Sequence, residues 1–208
     1  MSSGRCSIQV SSSSTTEIME QEQINEFGHV QEAAIERLRT ATGWRSARKG
    51  SLKFQLLTLP SFENGVSWEV REVHLRHRDS QTRLYRYCWR MDVDLDAFSS
   101  PVKRLKHPRP YSPTIEVAYV EVDQTIVARY QQRISSTPVS LVAPKNSIGL
   151  DGVIYELALG DFCQSRLCWW CKLPEEWQPL QPIIDDMFRE FEFCWRAGPQ
   201  HESEDGES

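Results

Sequence analysis

From residue 17 to residue 42, apolar side chains recur at the three- and four-residue spacing of a helix. Ile24, Phe27, Val30, Ala34, Ile35, Leu38 and Ala41 fall on one stripe, as an amphipathic helix requires. The pattern predicts a helix over Glu17 to Thr42 that packs on a sheet, with Gly28 as a weak point. Thr16 is placed to cap it, Glu17 and Glu20 suit the positive end of its dipole, and Gly43 can end it in a left-handed conformation.

Beyond residue 50 the period shortens to two, the spacing of a pleated strand. Leu52 to Leu59, Val66 to Arg76 and Arg83 to Val93 read as strands, the last two forming a hairpin around the polar turn at Asp79 and Ser80. In the third of these, Tyr85, Tyr87, Trp89, Met91 and Val93 alternate with Arg86, Cys88, Arg90 and Asp92, which sorts aromatic side chains to one face and mostly polar ones to the other. Ser99 to Pro113 carries four prolines and reads as a loop, and the β pattern resumes over Thr114 to Ala128 and Val139 to Val142. Asp151-Gly152 reads as a tight turn with positive backbone angles, followed by a strand carrying Val153, Tyr155, Leu157 and Leu159 and by its partner, Gln164 to Trp170.

After Pro174 the helical period returns through Leu180, Ile183, Ile184, Met187, Phe188, Phe191, Cys194 and Trp195, with Pro182 acceptable only in the first turn. An N-terminal and a C-terminal helix packing a mainly antiparallel sheet make an α+β fold. The expected organisation is a Ser/Thr-rich disordered stretch at 1–16, one domain at 17–197 and a disordered acidic tail at 198–208 with Glu202, Glu204, Asp205 and Glu207. Length agrees, since 208 residues suit one domain with a sizeable core.

A net charge of −5 argues against whole-molecule attraction to nucleic acid or acidic membranes and leaves room for a local basic face. No apolar run reaches the roughly 20 residues needed to cross a bilayer, and the N-terminus lacks the apolar core of a secretory signal. The expected compartment is the cytoplasm, where the six cysteines are reduced thiols.

Chemistry-bearing spacings are few. Cys163, Cys168, Cys171 and Cys194 reproduce a Cys-x4-Cys-x2-Cys…Cys series like that of plant-type iron–sulfur proteins. Trp169 and Trp170 replace the small residues of a cluster loop, and a strand would point Cys168 and Cys171 to opposite faces. The expectation is therefore free thiols, with no metal and no cofactor. Asp92, Asp94 and Asp96 would share a face if the strand continued through them, but Ala97 and Lys103 occupy the positions where a calcium loop needs Gly and a bidentate acid. His74 and His77 have no accompanying nucleophile motif, and glycine-rich phosphate loops and the Gly-x-Ser-x-Gly elbow are absent. No catalytic residue is assigned, although Asp92, Asp94, His74 and His77 are the candidates that an unrecognised enzyme would use.

The unusual feature is compositional. Residues 71 to 110 hold ten Lys or Arg against five Asp or Glu, interleaved with Tyr85, Tyr87 and Trp89, inside an acidic chain. Arginine forks and aromatic planes suit an acidic protein surface or a nucleic acid. Arg86, Arg90, Lys103, Arg104 and Lys106 are the candidate binding residues, with no ribonucleoprotein motif to favour nucleic acid.

One resemblance covers residues 148 to 191. Leu150-Asp151-Gly152-Val153-Ile154-Tyr155-Glu156-Leu157, then Trp169-Trp170, Pro174, Trp177 and Leu180, resembles a pattern in small uncharacterised bacterial proteins, some of them immunity-like. The resemblance implies a binding or immunity-type role. No signature specifies a reaction, so the expectation is a non-catalytic cytoplasmic module that binds a protein through a sheet face or loop. An enzyme of unrecognised family and a nucleic-acid binder using 71–110 are the alternatives.

Overall fold

The computed structural model describes residues 13–40, 50–74, 80–100, 102–103, 112–140, 151–160 and 165–201, with the backbone alone for 13–24, 40, 200 and 201. The order is α1 (Ser13–Thr40), β1 (Ser51–Pro60), β2 (Val66–Val73), β3 (Gln81–Trp89), α2 (Met91–Phe98), β4 (Ile115–Glu121), α3 (Gln124–Ser135), β5 (Val153–Leu159), β6 (Ser165–Trp170), a 3-10 segment (Glu175–Leu180), α4 (Gln181–Arg196) and β7 (Gln200–His201). The strands form one antiparallel sheet in the order β6-β5-β1-β2-β3-β4-β7. The expected α+β architecture is thus present, with the terminal helices on opposite faces of the sheet.

The alternation of each strand divides its side chains between two cores. Phe54, Leu56, Trp68, Val70, Leu84, Val120, Leu157 and Trp169 point to one face, where Val127, Tyr130 and Ile134 of α3 and Ile183, Ile184, Met187 and Phe191 of α4 cover them. Phe191 stacks on Phe54 at 5.9 Å between ring centroids, and Tyr130 meets both rings edge-on at 6.5 Å. Leu57, Leu59, Val73, Tyr85, Tyr87 and Trp89 point to the other face, under Ala34 and Leu38 of α1. Helix α2 joins this second layer by packing Ala97 and Phe98 against Val30. Both faces of the sheet thus carry helices among the described residues.

Three local readings change. Helix α1 begins at Ser13, so Thr16 lies inside it and Glu17 and Glu20 lie beyond its first turn; Gly43 lies outside the described residues. Strand β3 stops at Trp89, and Met91 to Val93, read as its end, instead begin α2. The β reading of Thr114 to Ala128 holds only to Glu121, because Asp123 accepts a hydrogen bond from Thr125 N (2.8 Å) and caps α3. Pro182 does sit in the first turn of α4.

Gly152 has a different reason from the one expected. Its φ is not positive. A Cβ there would lie 2.5 Å from both Cys171 Sγ and the Trp170 ring, so glycine is required by close approach. The same backbone is tied to the β1–β2 loop, where Ser61 N donates to Gly152 O (2.9 Å) and Gly152 N donates to Ser61 Oγ (3.1 Å).

Tyr130 is buried where α3 meets α4, and its hydroxyl donates to Glu190 Oε2 (2.6 Å). Burial, reinforced by the Glu190 carboxylate, pushes this hydroxyl up to about 12 from its ordinary 10.0. Between those values the unfolded chain gives up a proton that the folded chain keeps, so this contribution to stability is complete below pH 10 and is lost as the pH rises through 12. Urea unfolding should show stability falling by about 2 to 3 kcal/mol over this interval, and Tyr130→Phe should remove that part of the slope.

Candidate functional site

The described part of the basic segment is built on the end of β2, β3, α2 and the residues that follow it, and its charges are engaged within the chain. Arg86 lies on the α4 side of β3, its guanidinium 5.5 Å from the Trp68 ring and 5.6 Å from that of Trp195. The face expected to be outward is therefore covered by the end of α4. Arg90 caps the start of α2, donating to Asp92 Oδ1 and Oδ2 at 3.0 and 2.9 Å and pairing with Glu116. Lys103 pairs with Asp96 at 2.6 Å. Arg71 is bonded to Glu69, and Arg83 donates to Gln81 and stacks on Tyr119 at 4.3 Å. All five described Lys and Arg residues of this segment have intramolecular partners; Arg104 and Lys106 lie outside the described residues.

The aspartates that alternate in sequence are separated by the helix they sit on, since two residues along a helix is more than half a turn. Arg90 holds the Asp92 carboxyl down to about 2, far from the range of a general base near neutral pH. Asp94 is buried and accepts from Trp89 Nε1 (2.7 Å), Thr114 Oγ1 (2.6 Å) and Thr114 N (3.1 Å). It fastens α2 to the end of β3 and the start of β4. Asp96 turns to Lys103. His74 follows β2 at the opposite end from Gly65, whose carbonyl receives Trp89 N. That is roughly 25 Å along the strand from the aspartates, and His77 lies outside the described residues. The three described candidates for catalysis, Asp92, Asp94 and His74, do not form one constellation.

The cysteines are likewise spread. Cys168 is on the α1 side of β6, with its Sγ 4.0 Å from Glu156 Oε1. Glu156 is buried and engaged by Arg39 and Arg166. Burial and the Glu156 charge push the Cys168 thiol up, which disfavours a reactive thiolate. Cys171 lies against Gly152, and Cys194 packs from α4 into the core on the other side of the sheet. Among the described residues no group of three or more His, Cys, Asp or Glu is arranged to hold a metal, and Cys163 lies outside them. No described helix is long and apolar enough to cross a membrane.

The outer side of α2 is a surface that sequence reasoning missed. Met91, Asp94, Ala97 and Phe98 turn inward, leaving Val93 (38% exposed) and Leu95 (44%) in solvent; Val102 (64%) follows on the same stretch. Phe62, 75% exposed, stands in the β1–β2 loop, whose Asn64 Oδ1 accepts from Asp92 N at 3.4 Å. Four of the five large apolar side chains that the described residues expose belong to α2, its sequel and this neighbouring loop. Val93 and Leu95 lie on opposite flanks of α2, two residues being more than half a turn, and Asp92 and Asp96, paired with Arg90 and Lys103, stand between them. Exposed apolar side chains interspersed with compensated charges have the mixed composition of a protein interface. The available signal was that an eight-residue helix with apolar residues at 91, 93, 95, 97 and 98 cannot bury all of them on one side.

No protein-family model, curated protein or solved structure matches the chain.

Proposed function

We propose that this chain is a non-catalytic protein-interaction module whose partner docks on the outer side of α2, over Val93, Leu95, Val102 and Phe62. The exposed apolar group on α2 carries the reading, because water-facing side chains of this size in one region mark interaction surfaces. Arg90 and Lys103, expected from sequence as binding residues, become the cationic part of that surface. Among the described residues this surface sets Arg90 and Lys103 against Asp92, Asp96 and Glu116, so it offers no excess of positive charge to a phosphate backbone, and this supports a protein partner over nucleic acid. The resemblance at 148–191 suggests the immunity type of such a module, one that works by covering another protein. The net charge of −5, which favours solubility, goes with a cytoplasmic setting.

The test is affinity capture with the parent chain and with Leu95→Asp/Val102→Asp, followed by mass spectrometry. Both side chains are exposed, so the variant keeps its fold, verified by an unchanged melt. A partner enriched by the parent and reduced at least tenfold by the variant is the expected result. Equal recovery by both chains refutes the α2 site, and turnover of a metabolite by purified protein refutes the non-catalytic reading.

A further inference from the structure

The layer on the far side of the sheet from α2 contains a second surface of different chemistry. Helices α3 and α4 run antiparallel, since Arg129 pairs with Glu190 and Arg133 with Asp186. Between them lies a cleft of about 450 Å3. Its floor is Tyr130, whose ring lies beneath the Arg129 and Arg133 guanidiniums at 4.9 and 5.6 Å. The carboxylates sit low, with Glu190 and Asp186 side chains 24% and 35% exposed, while Arg129 and Arg189 stand at the rim at 51% and 77%.

Three guanidiniums thus line the cleft against two carboxylates, and Asp186 is shared by Arg133 and Arg189. The lining thus carries one more positive than negative side chain, in a chain that is acidic as a whole. Phe193 follows Arg189 by one turn of α4, lines the same cleft and is 76% exposed, outside the core that its helix otherwise builds. Arginine and aromatic side chains at one cleft are the composition of a binding hot spot.

We propose that the α3–α4 cleft docks an acidic peptide segment bearing an apolar side chain. Peptide carboxylates pair with the Arg129 and Arg189 forks, which match carboxylate geometry, and the apolar side chain covers Phe193. The carboxylates on the floor disfavour a continuous phosphate chain, because the excess is one positive charge. This site is independent of the α2 surface.

The experiment is fluorescence anisotropy of the full chain with a short labelled peptide of Glu, Asp and Phe. Controls are its Gln/Asn counterpart and a labelled single-stranded oligonucleotide. The expected result is saturable binding of the acidic peptide that weakens with salt, falls about tenfold in Arg189→Gln, as loss of one charged hydrogen-bond partner predicts, and falls several-fold in Phe193→Ser. Both side chains are mostly exposed, so the melts of these variants should match the parent. Absence of saturable binding, equal binding of the neutral peptide, tighter binding of the oligonucleotide, or affinities unchanged in both variants would overturn the proposal.

Discussion

Glu69→Ala is expected to destabilise the fold by about 3 to 5 kcal/mol, the cost of breaking a buried ion pair from one side. Glu69 and Arg71 are 0% and 1% exposed, and Arg71 Nε donates to Glu69 Oε2 at 2.8 Å. Around them Arg71 Nη1 donates to Gly50 O (3.0 Å), and Gln55 Nε2 lies within hydrogen-bonding distance of Leu38 O, Ser67 Oγ and Glu69 Oε1 at 2.7, 2.7 and 3.2 Å. These groups sit on the α1 side of β1 and β2, and through Leu38 O the network joins helix to sheet by directional bonds. Removing Glu69 leaves a guanidinium in the interior without its carboxylate. Glu69→Leu/Arg71→Met, which removes both charges while retaining volume, should recover most of the loss. Urea unfolding of the three chains decides it, and a Glu69→Ala chain within about 0.5 kcal/mol of the parent would show that the pair is solvated.

Trp89→Ala should cost about 3 to 5 kcal/mol, as for other large buried aromatics. Trp89 is buried, stacks on Phe27 of α1 with ring centroids 6.4 Å apart and donates its indole N–H to Asp94. It therefore serves the sheet, α1 and α2 at once. Trp89→Phe keeps most of the apolar area and loses the hydrogen bond, and Asp94 retains its Thr114 donors. That variant should lose about 1 to 3 kcal/mol. Thermal melts of the two variants separate packing from the bond, and equal losses would show that the indole N–H carries the effect.

These residues also show what was legible beforehand. The alternation through Tyr85, Tyr87 and Trp89 was read as a strand with one aromatic face, and those side chains do enter one core. Continuing that strand into Met91 and Val93 failed because alternation over MDVDLDAF matches a strand equally well. The choice was made by tertiary packing of Met91, Ala97 and Phe98 and by the Asp94 bonds. Helix α3 was missed for the opposite reason: β-branched Thr125, Ile126 and Val127 mask a helical spacing that Val127, Tyr130 and Ile134 complete. Of the candidate site, Arg90 and Lys103 were found through charge composition. Val93 and Leu95 were not, since their exposure follows from how α2 sits on α1.

The Glu69 and Trp89 variants probe how the scaffold is held; the function rests on the outer side of α2. Hydrogen exchange of the full chain, alone and with the partner recovered by affinity capture, tests that most directly. The account predicts slowed exchange concentrated in peptides spanning Met91 to Lys103 and the Phe62 loop. Slowed exchange confined to other elements, with Met91 to Lys103 unchanged by the partner, would contradict it.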